Sequence, residues 1–404
     1  MSDTEWIPIT LADVLSFSNG KTSPERANNL PYPVYGANGV IGFSNAANSD
    51  LNTIIIGRVG SYCGSLHFSK KKCWVTDNAI RANAQNNHDA RFLFYFLKTL
   101  DLNNSRAGSG QPLLNQTILG MISASIPELK EQRAIAHILG SLDDMIELNR
   151  QMNETLEAMA RAIFQSWFVD FDPVRAKAEG RDTGLPPEVA ALFPPEIVDV
   201  DGREVPKGWR IGQLSEVIDL IGGGTPQTSV EEYWNGEIPW FSVADAPNEN
   251  DVFVIDTEKH ITQAGVENSS TNILPVGTTI ISARGTVGKL AVVGVPMAMN
   301  QSCYGIKGRQ GYPSYFIHFL VKRAINELQQ QTHGTVFETI TRQTFDGVEI
   351  VIPPEKNAHG FDSVVIPHLE KIRNNLMESR TLAQIRDALL PKLMSGKIQL
   401  ESVT

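Results

Sequence analysis

Ile135, Ile138, Leu142, Met145, Asn149, Met152, Leu156, Met159 and Ile163 follow one another at steps of three and four residues. That stride is the 3.5-residue repeat of a helix that presents one apolar seam to another helix. Pro127 stands just ahead of the pattern and only Gly140 interrupts its interior. The spacing therefore predicts an unbroken helix from about Lys130 to Phe168, roughly 55 Å long at 1.5 Å per residue. A helix of that length outruns a small domain and acts as a spacer or an oligomer seam. Asn149 falls on the seam itself. A polar residue there costs stability but can fix register and partner; Asn149 is either such a device or a tolerated polar position.

The chain on either side of this helix repeats itself. Thr53-Ile54-Ile55-Ile56 is a β-branched run suited to a buried strand, ended by Gly57-Arg58-Val59-Gly60-Ser61-Tyr62-Cys63-Gly64. Thr279-Ile280-Ile281-Ser282 and Ala283-Arg284-Gly285-Thr286-Val287-Gly288 parallel it. Tyr95-Phe96-Leu97, within an apolar run read as a buried helix, parallels His318-Phe319-Leu320 at an offset of 223, and Ile126-Pro127 parallels Ile352-Pro353 at 226. A second helical pattern follows, with Leu369, Ile372, Leu376, Leu382, Ile385, Leu389 and Leu393 apolar. Pro391 is expected to end or kink it near Leu390. The repeating unit is a mixed α/β domain plus a long helix, used twice, and the two helices are expected to pair with each other.

The division that results is a first domain over 1–127, a central helix over 128–170, a connector over 171–206, a second domain over 207–353 and a C-terminal helix over 354–404. The connector is read as such because Pro173, Gly180, Gly184, Pro186, Pro187, Pro194, Pro195 and Pro206 crowd it. The fold class is α+β: two tandem mixed α/β domains joined by two long antiparallel coiled-coil helices, with a pseudo-two-fold internal repeat.

Charge sharpens this division. The net charge is −10 over 404 residues, which argues at first against a nucleic-acid binder. Its distribution is uneven. Residues 54–115 hold eight Lys or Arg against three acids, and residues 279–350 hold seven against four. Residues 128–205, with the long helix, hold eight against sixteen. The domains carry the positive charge and the spacer the acidity. Cys63, Cys73 and Cys303 form no CxxC pair and suit a reducing compartment. No apolar run of membrane-spanning length and no signal-peptide pattern at the N-terminus is present, so a cytoplasmic protein is expected.

No pattern for catalysis emerges. Ile221-Gly222-Gly223-Gly224-Thr225-Pro226 lacks the lysine of a phosphate-binding loop and reads as a turn. The eight histidines show no metal spacing, and no GxSxG elbow appears. The Pro-Pro pairs lack the Asn or Asp and the aromatic residue of an adenine-methylating loop. Glu128-Leu129-Lys130 has only part of a nuclease carboxylate–lysine set, at a helix start where Glu is favoured anyway.

A family comes into view around the central helix. Glu131-Gln132-Arg133-Ala134-Ile135-Ala136, Leu142-Asp143-Asp144, Ile146-Glu147-Leu148-Asn149-Arg150, Asn153-Glu154-Thr155-Leu156-Glu157-Ala158-Met159-Ala160 and Trp167-Phe168-Val169-Asp170-Phe171 closely resemble the central region of specificity subunits of type I restriction-modification systems. The resemblance extends over the chain. It takes in Gly110-Gln111-Pro112-Leu113-Leu114-Asn115 in the first domain, Gly334-Thr335-Val336-Phe337-Glu338-Thr339-Ile340 in the second, and Ile385 through Gly396 at the C-terminal helix. It implies a non-catalytic protein whose two target-recognition domains each read half of a split duplex DNA site. The helices would set the gap and dock two methyltransferase subunits, to which restriction–translocase subunits can be added. S-adenosylmethionine, ATP and magnesium would then sit on the partners, with no cofactor on this chain. The alternatives are a two-headed nucleic-acid-binding scaffold of another defence complex and a stand-alone enzyme.

Reading bases calls for Arg at guanine and Asn or Gln at adenine, while Lys, Arg, Ser, Thr and backbone N–H groups hold phosphates. The candidates are Arg58, Ser61, Tyr62, Lys70, Lys71, Lys72, Ser109, Gln111 and Asn115 in the first domain. In the second they are Arg284, Thr286, Lys289, Asn300, Gln301, Thr335, Arg342 and Gln343. Trp167, Phe168 and Phe171 are candidate partner anchors, against a plain core role. The second domain has Phe337-Glu338-Thr339-Ile340-Thr341 where the first has Gln111 through Asn115, so contacts cannot simply be copied across.

Overall fold

The computed structural model of the chain describes residues 6–85, 87–100, 102, 114–247, 251–331, 339–398 and 400. It divides into two compact units, Met1–Ile146 with Arg380–Thr404, and Glu147–Ser379. The two helices contribute to both: Leu129–Phe168 and Glu355–Met394 are each 40 residues long, about 60 Å at 1.5 Å per residue.

In the first unit a four-stranded antiparallel sheet has the order Leu15–Asn19, Ala79–Ala84, Thr53–Gly57, Leu66–Ser69. Thr53–Gly57 is buried along its whole length, as its β-branched run requires. A second sheet has the order Gly39–Ser44, Tyr32–Gly36, Trp74–Val75, the last pair parallel. Ile7–Thr10 pairs with Ser123–Ile126 and closes the domain beside the helix start. The helix Ala90–Thr99, capped by the Asp89 carboxylate on the N–H groups of Arg91 and Phe92, lays Phe92, Leu93, Tyr95 and Phe96 into a core shared with Ile135, Leu139, Leu393 and Met394.

The second unit uses the same plan. Its larger sheet has the order Ile218–Gly222, Cys303–Gly308, Thr279–Ser282, Leu290–Val293, Phe253–Val254. A three-stranded sheet joins His260–Ile261, Trp234–Phe241 and Ala298–Met299, the last pair again parallel. Arg210–Gln213 pairs with Glu349–Ile352 as Ile7–Thr10 does with Ser123–Ile126. The expected repeat is present in the shared strands, and the second unit adds Phe253–Val254 at the edge of its larger sheet.

The helices pair antiparallel. In the first unit Arg386 donates to Asp143 at 2.6 Å. In the second, Asn149 donates to Glu378 at 3.0 Å and to Ser379 at 3.3 Å, and Asn375 donates to Asn153 at 2.8 Å. Asn149 is buried and hydrogen-bonded, which favours the register-fixing reading. The seam, however, is not the one the 3.5-residue stride picks out. Met145 and Met159 are 44% and 46% exposed, while Asn153 and Ala160 are buried. Helices near 3.6 residues per turn drift from a strict heptad, and the inward face moves one position along.

Three further expectations are corrected. The segment 171–206 is folded: it forms the helix Asp172–Ala178 and the hairpin Ile197–Val200 with Arg203–Pro206, and Val174, Val189 and Phe193 join the unit's core. Pro391 does not end its helix, which continues to Met394. Trp167, Phe168 and Phe171 are 3%, 6% and 6% exposed, so they are core residues and not partner anchors. Phe168 stacks on Trp209 and meets Phe316 edge-on, and Trp167 meets Phe193 and Phe361. The sequence showed a bulky helix end but not the folded 171–206 segment and Trp209 that cover it. Replacing Phe168 with Ala is expected to destabilise the protein by about 3–5 kcal/mol, read by denaturant unfolding. Met159→Ala should change stability by about 0.5 kcal/mol or less, as for an exposed position.

Candidate nucleic-acid interface

In the first unit the buried strand Thr53–Gly57 delivers the chain into a tight loop. A Cβ on Gly57 would lie 2.1 Å from the Tyr62 carbonyl oxygen, so only glycine permits this approach. Gly57 N–H donates to Ser65 O and Gly64 N–H to Gly57 O, both at 2.8 Å, and Gly60 turns with φ +70°. Gly60–Tyr62 forms one 3₁₀ turn that exposes Ser61 and leaves Tyr62 50% exposed. Arg58 is held through its backbone: its N–H donates to Asn78 O at 2.9 Å and its carbonyl accepts from Leu114 N at 3.1 Å. The Arg58 side chain is half-buried, with Nε lacking a partner among the described residues.

The second unit repeats the device at Thr279–Ser282. Ser282 Oγ accepts from Lys289 N at 2.9 Å and donates to Thr286 O at 2.5 Å, and Gly285 turns with φ +77°. Arg284 and Thr286 are exposed and Lys289 half-buried. Arg284 bridges Thr339, and Ala283 O accepts from Ile340 N at 2.9 Å. In both units, then, the Arg-bearing strand exit is stitched to the residues that lead into a short helix, Gln116–Gly120 or Arg342–Asp346.

The remaining candidates separate by what already engages them. Asn115 Oδ1 accepts from Ile118 N at 2.9 Å, so this residue caps the short helix; Thr341 holds the same place in the second unit. Asn300 is tied into a turn by Phe241 O and Ser302 N, and Gln301 is exposed but accepts from Thr225. Arg342 and Gln343 are exposed, and Arg342 lines a cavity of about 290 Å³ with Asp219, Arg309 and Asp346. Lys70 is bound to Asp144 and Lys72 lies 3.5 Å from Asp50, whereas Lys71 is exposed. Ser109, Gln111 and Thr335 lie outside the described residues. Among the described residues no cluster of His, Cys, Asp or Glu could hold a metal ion, and no helix is long and apolar enough to cross a membrane.

The family described as type I restriction modification DNA specificity domain matches residues 3–158 and 206–385. The chain belongs to that family. It carries the domain twice and is a specificity subunit of a type I restriction-modification system. It is 31% identical to the type I restriction enzyme HindI specificity subunit of Haemophilus influenzae, over 73% of this chain and 72% of that one. It is 27% identical to the MjaIX specificity subunit of Methanocaldococcus jannaschii, over 78% and 70%. The crystal structure of the type I restriction-modification S subunit from M. genitalium shares its fold, with a TM-score of 0.61, 15% identity and 97% of both chains covered.

The sequence reading missed what seats the first domain on its helix. Arg91 donates to Asp144 at 2.9 Å and to Gly140 O at 2.7 Å, and a Cβ on Gly140 would come within 2.5 Å of the guanidinium. Gly140 and Asp144 stand one turn apart on the same face, and that spacing was the available signal. The Arg91 guanidinium, helped by Lys70, holds the Asp144 carboxyl down at about 2, below its ordinary 3.8. A lowered carboxylate pKa contributes stability above pH 4 that disappears as the pH falls from about 4 to 2. Asp144→Asn should flatten the pH dependence of the melting temperature across that window while the wild type loses stability there; equal slopes would show that the pair contributes nothing.

Proposed function

We propose that this specificity subunit catalyses no step itself and reads a bipartite duplex DNA site, one half with each domain. The observation that carries the reading is the repeated strand exit. Arg58 and Arg284 occupy equivalent points of two glycine-turned loops, each braced by backbone hydrogen bonds. Arg presents two donors to guanine O6 and N7, the contact that best separates guanine from other bases. In this reading Ser61, Tyr62, Thr286 and the backbone N–H groups beside them hold phosphates. The two helices, with paired residues in each unit, set the gap between half-sites and offer surfaces to two methyltransferase subunits, with restriction–translocase subunits joining the assembly. S-adenosylmethionine, ATP and magnesium belong to those partners. The negative total charge is compatible with this division of labour, because partners add phosphate contacts of their own.

The test is equilibrium binding of the complex with its methyltransferase subunits to a cognate duplex, by fluorescence anisotropy at fixed salt. Arg58→Ala and Arg284→Ala should each weaken specific binding by about 1–3 kcal/mol and relax one position in only one half-site. Wild-type affinity and specificity in both variants would remove these loops from the interface.

A further inference from the structure

Beside the Arg58 loop stands a hairpin that none of the sequence-derived candidates includes, formed by Tyr32–Gly36 and Gly39–Ser44. We propose that it is a second base-reading element of the first domain, entering the major groove of duplex DNA next to Arg58. The proposal rests on the proposed function above and names residues that would determine specificity within it.

The hairpin is fastened to the loop that carries Arg58. Ser65 Oγ donates to Ala37 O at the hairpin turn, and a Cβ on Gly57 would come within 3.0 Å of that same oxygen. Thr76 N–H donates to Tyr35 O at 2.9 Å from the other side. Hairpin tip and Arg58 loop therefore form one surface.

Its side chains are aimed outward by a bulge. Successive residues of a strand face opposite sides, so of Val40 and Ile41 one should turn inward. The register slips instead between Val34 and Tyr35, which pair with Gly42 and Val40. Ile41 is the extra residue, and Val40 and Ile41 are 49% and 42% exposed together. Bulges of this kind re-aim side chains beside functional sites. Arg26 pins this one by donating to Ile41 O at 3.0 Å. Asn38 is exposed in the two-residue turn between the paired Gly36 and Gly39.

Composition and comparison with the second unit point the same way. The chain has 45 acidic residues, yet none falls between Glu25 and Asp50, so the hairpin meets phosphates without repulsion. A two-stranded ribbon fits the major groove, Asn is the side chain that pairs with adenine N6 and N7, and apolar side chains touch the thymine methyl group. In the second unit Trp234–Phe241 pairs in parallel with Ala298–Met299, as Tyr32–Gly36 does with Trp74–Val75. It then runs on into the 3₁₀ turn Val243–Asp245, and its antiparallel neighbour His260–Ile261 arrives only after Phe253–Val254, so no tight hairpin stands at this place. The repeats diverge here while the scaffold beneath agrees, as readers of two different half-sites require.

The experiment maps methylated adenines by long-read sequencing of DNA from cells that express the chain with its methyltransferase subunits. Asn38→Ala is compared with Val40→Ser/Ile41→Ser, and thermal melts of the complexes establish that both variants fold. Each should lose about tenfold or more discrimination at one or two base pairs of one half-site, with the other half-site unchanged as an internal control. A wild-type motif from both folded variants overturns the hairpin assignment alone, as does equal loss in both half-sites. A wild-type complex that methylates no split motif removes the proposed function and the hairpin's role with it.

Discussion

Asn375 donates a hydrogen bond to Asn153 at 2.8 Å between the two long helices, with both side chains buried. That bond forms in one alignment of the helices, since a slip by a turn leaves its donor and acceptor buried without each other, at about 1–3 kcal/mol each. Asn149 and Ser379 form the neighbouring contact. Asn149 stands 226 residues before Asn375, and Asn153 stands 226 before Ser379. The two contacts therefore exchange when the copies of the repeat are exchanged, and the polar cluster marks the pseudo-two-fold of the helix pair. Glu157 carries the same helix face on to Lys322 at 2.9 Å, which ties the pair to the domain helix Ser314–Gln331.

From that register the repeat builds outward twice. In each copy a closing strand pair leads into the long helix, a buried β-branched strand exits into a glycine loop, and an arginine stands at the exit. What differs is what surrounds it. Gly57 admits the Tyr62 carbonyl where the second copy has Ala283, Asn115 caps where Thr341 stands in the second copy, and the tight hairpin turn gives way to a long connection that begins with a 3₁₀ turn. Buried ladders tolerate little change, because a one-residue slip turns every side chain to the wrong face. The loops at their ends carry no such constraint and are free to diverge between the copies.

The architecture was legible in the sequence wherever periodicity speaks. The central helix, the strand Thr53–Gly57, the helix Ala90–Thr99 and the duplication all follow from hydrophobic spacing and matched offsets. What was not legible depends on contacts distant in sequence. The phase of the helix seam, which exposes Met145 and Met159, is set by 3.6-residue geometry against a partner helix and two domains. Trp167, Phe168 and Phe171 carry the composition of an anchor, and only Trp209, Phe316 and Phe361 show them to be core. The Pro-rich 171–206 segment folds because Val174 and Phe193 have an apolar surface to cover. Among the candidates, residue type singled out Arg58 and Arg284, but could not tell a free Asn from the cap at Asn115, nor an exposed Lys71 from Lys70, already bound to Asp144. Asn38-Gly39 marks a tight turn in the sequence, but the bulge that exposes Val40 and Ile41 together is visible only in the pairing register.

The central claim is that one scaffold, used twice, reads two half-sites independently. The strand pairs that close the domains mark equivalent ends, so residues 7–126 can replace residues 210–352. The measurement is the adenine-methylation motif of the complex assembled around that chimera. The account predicts a split palindrome built from the first half-site alone, with the gap set by unchanged helices. A folded, methylating chimera that retains the original second half-site would contradict it.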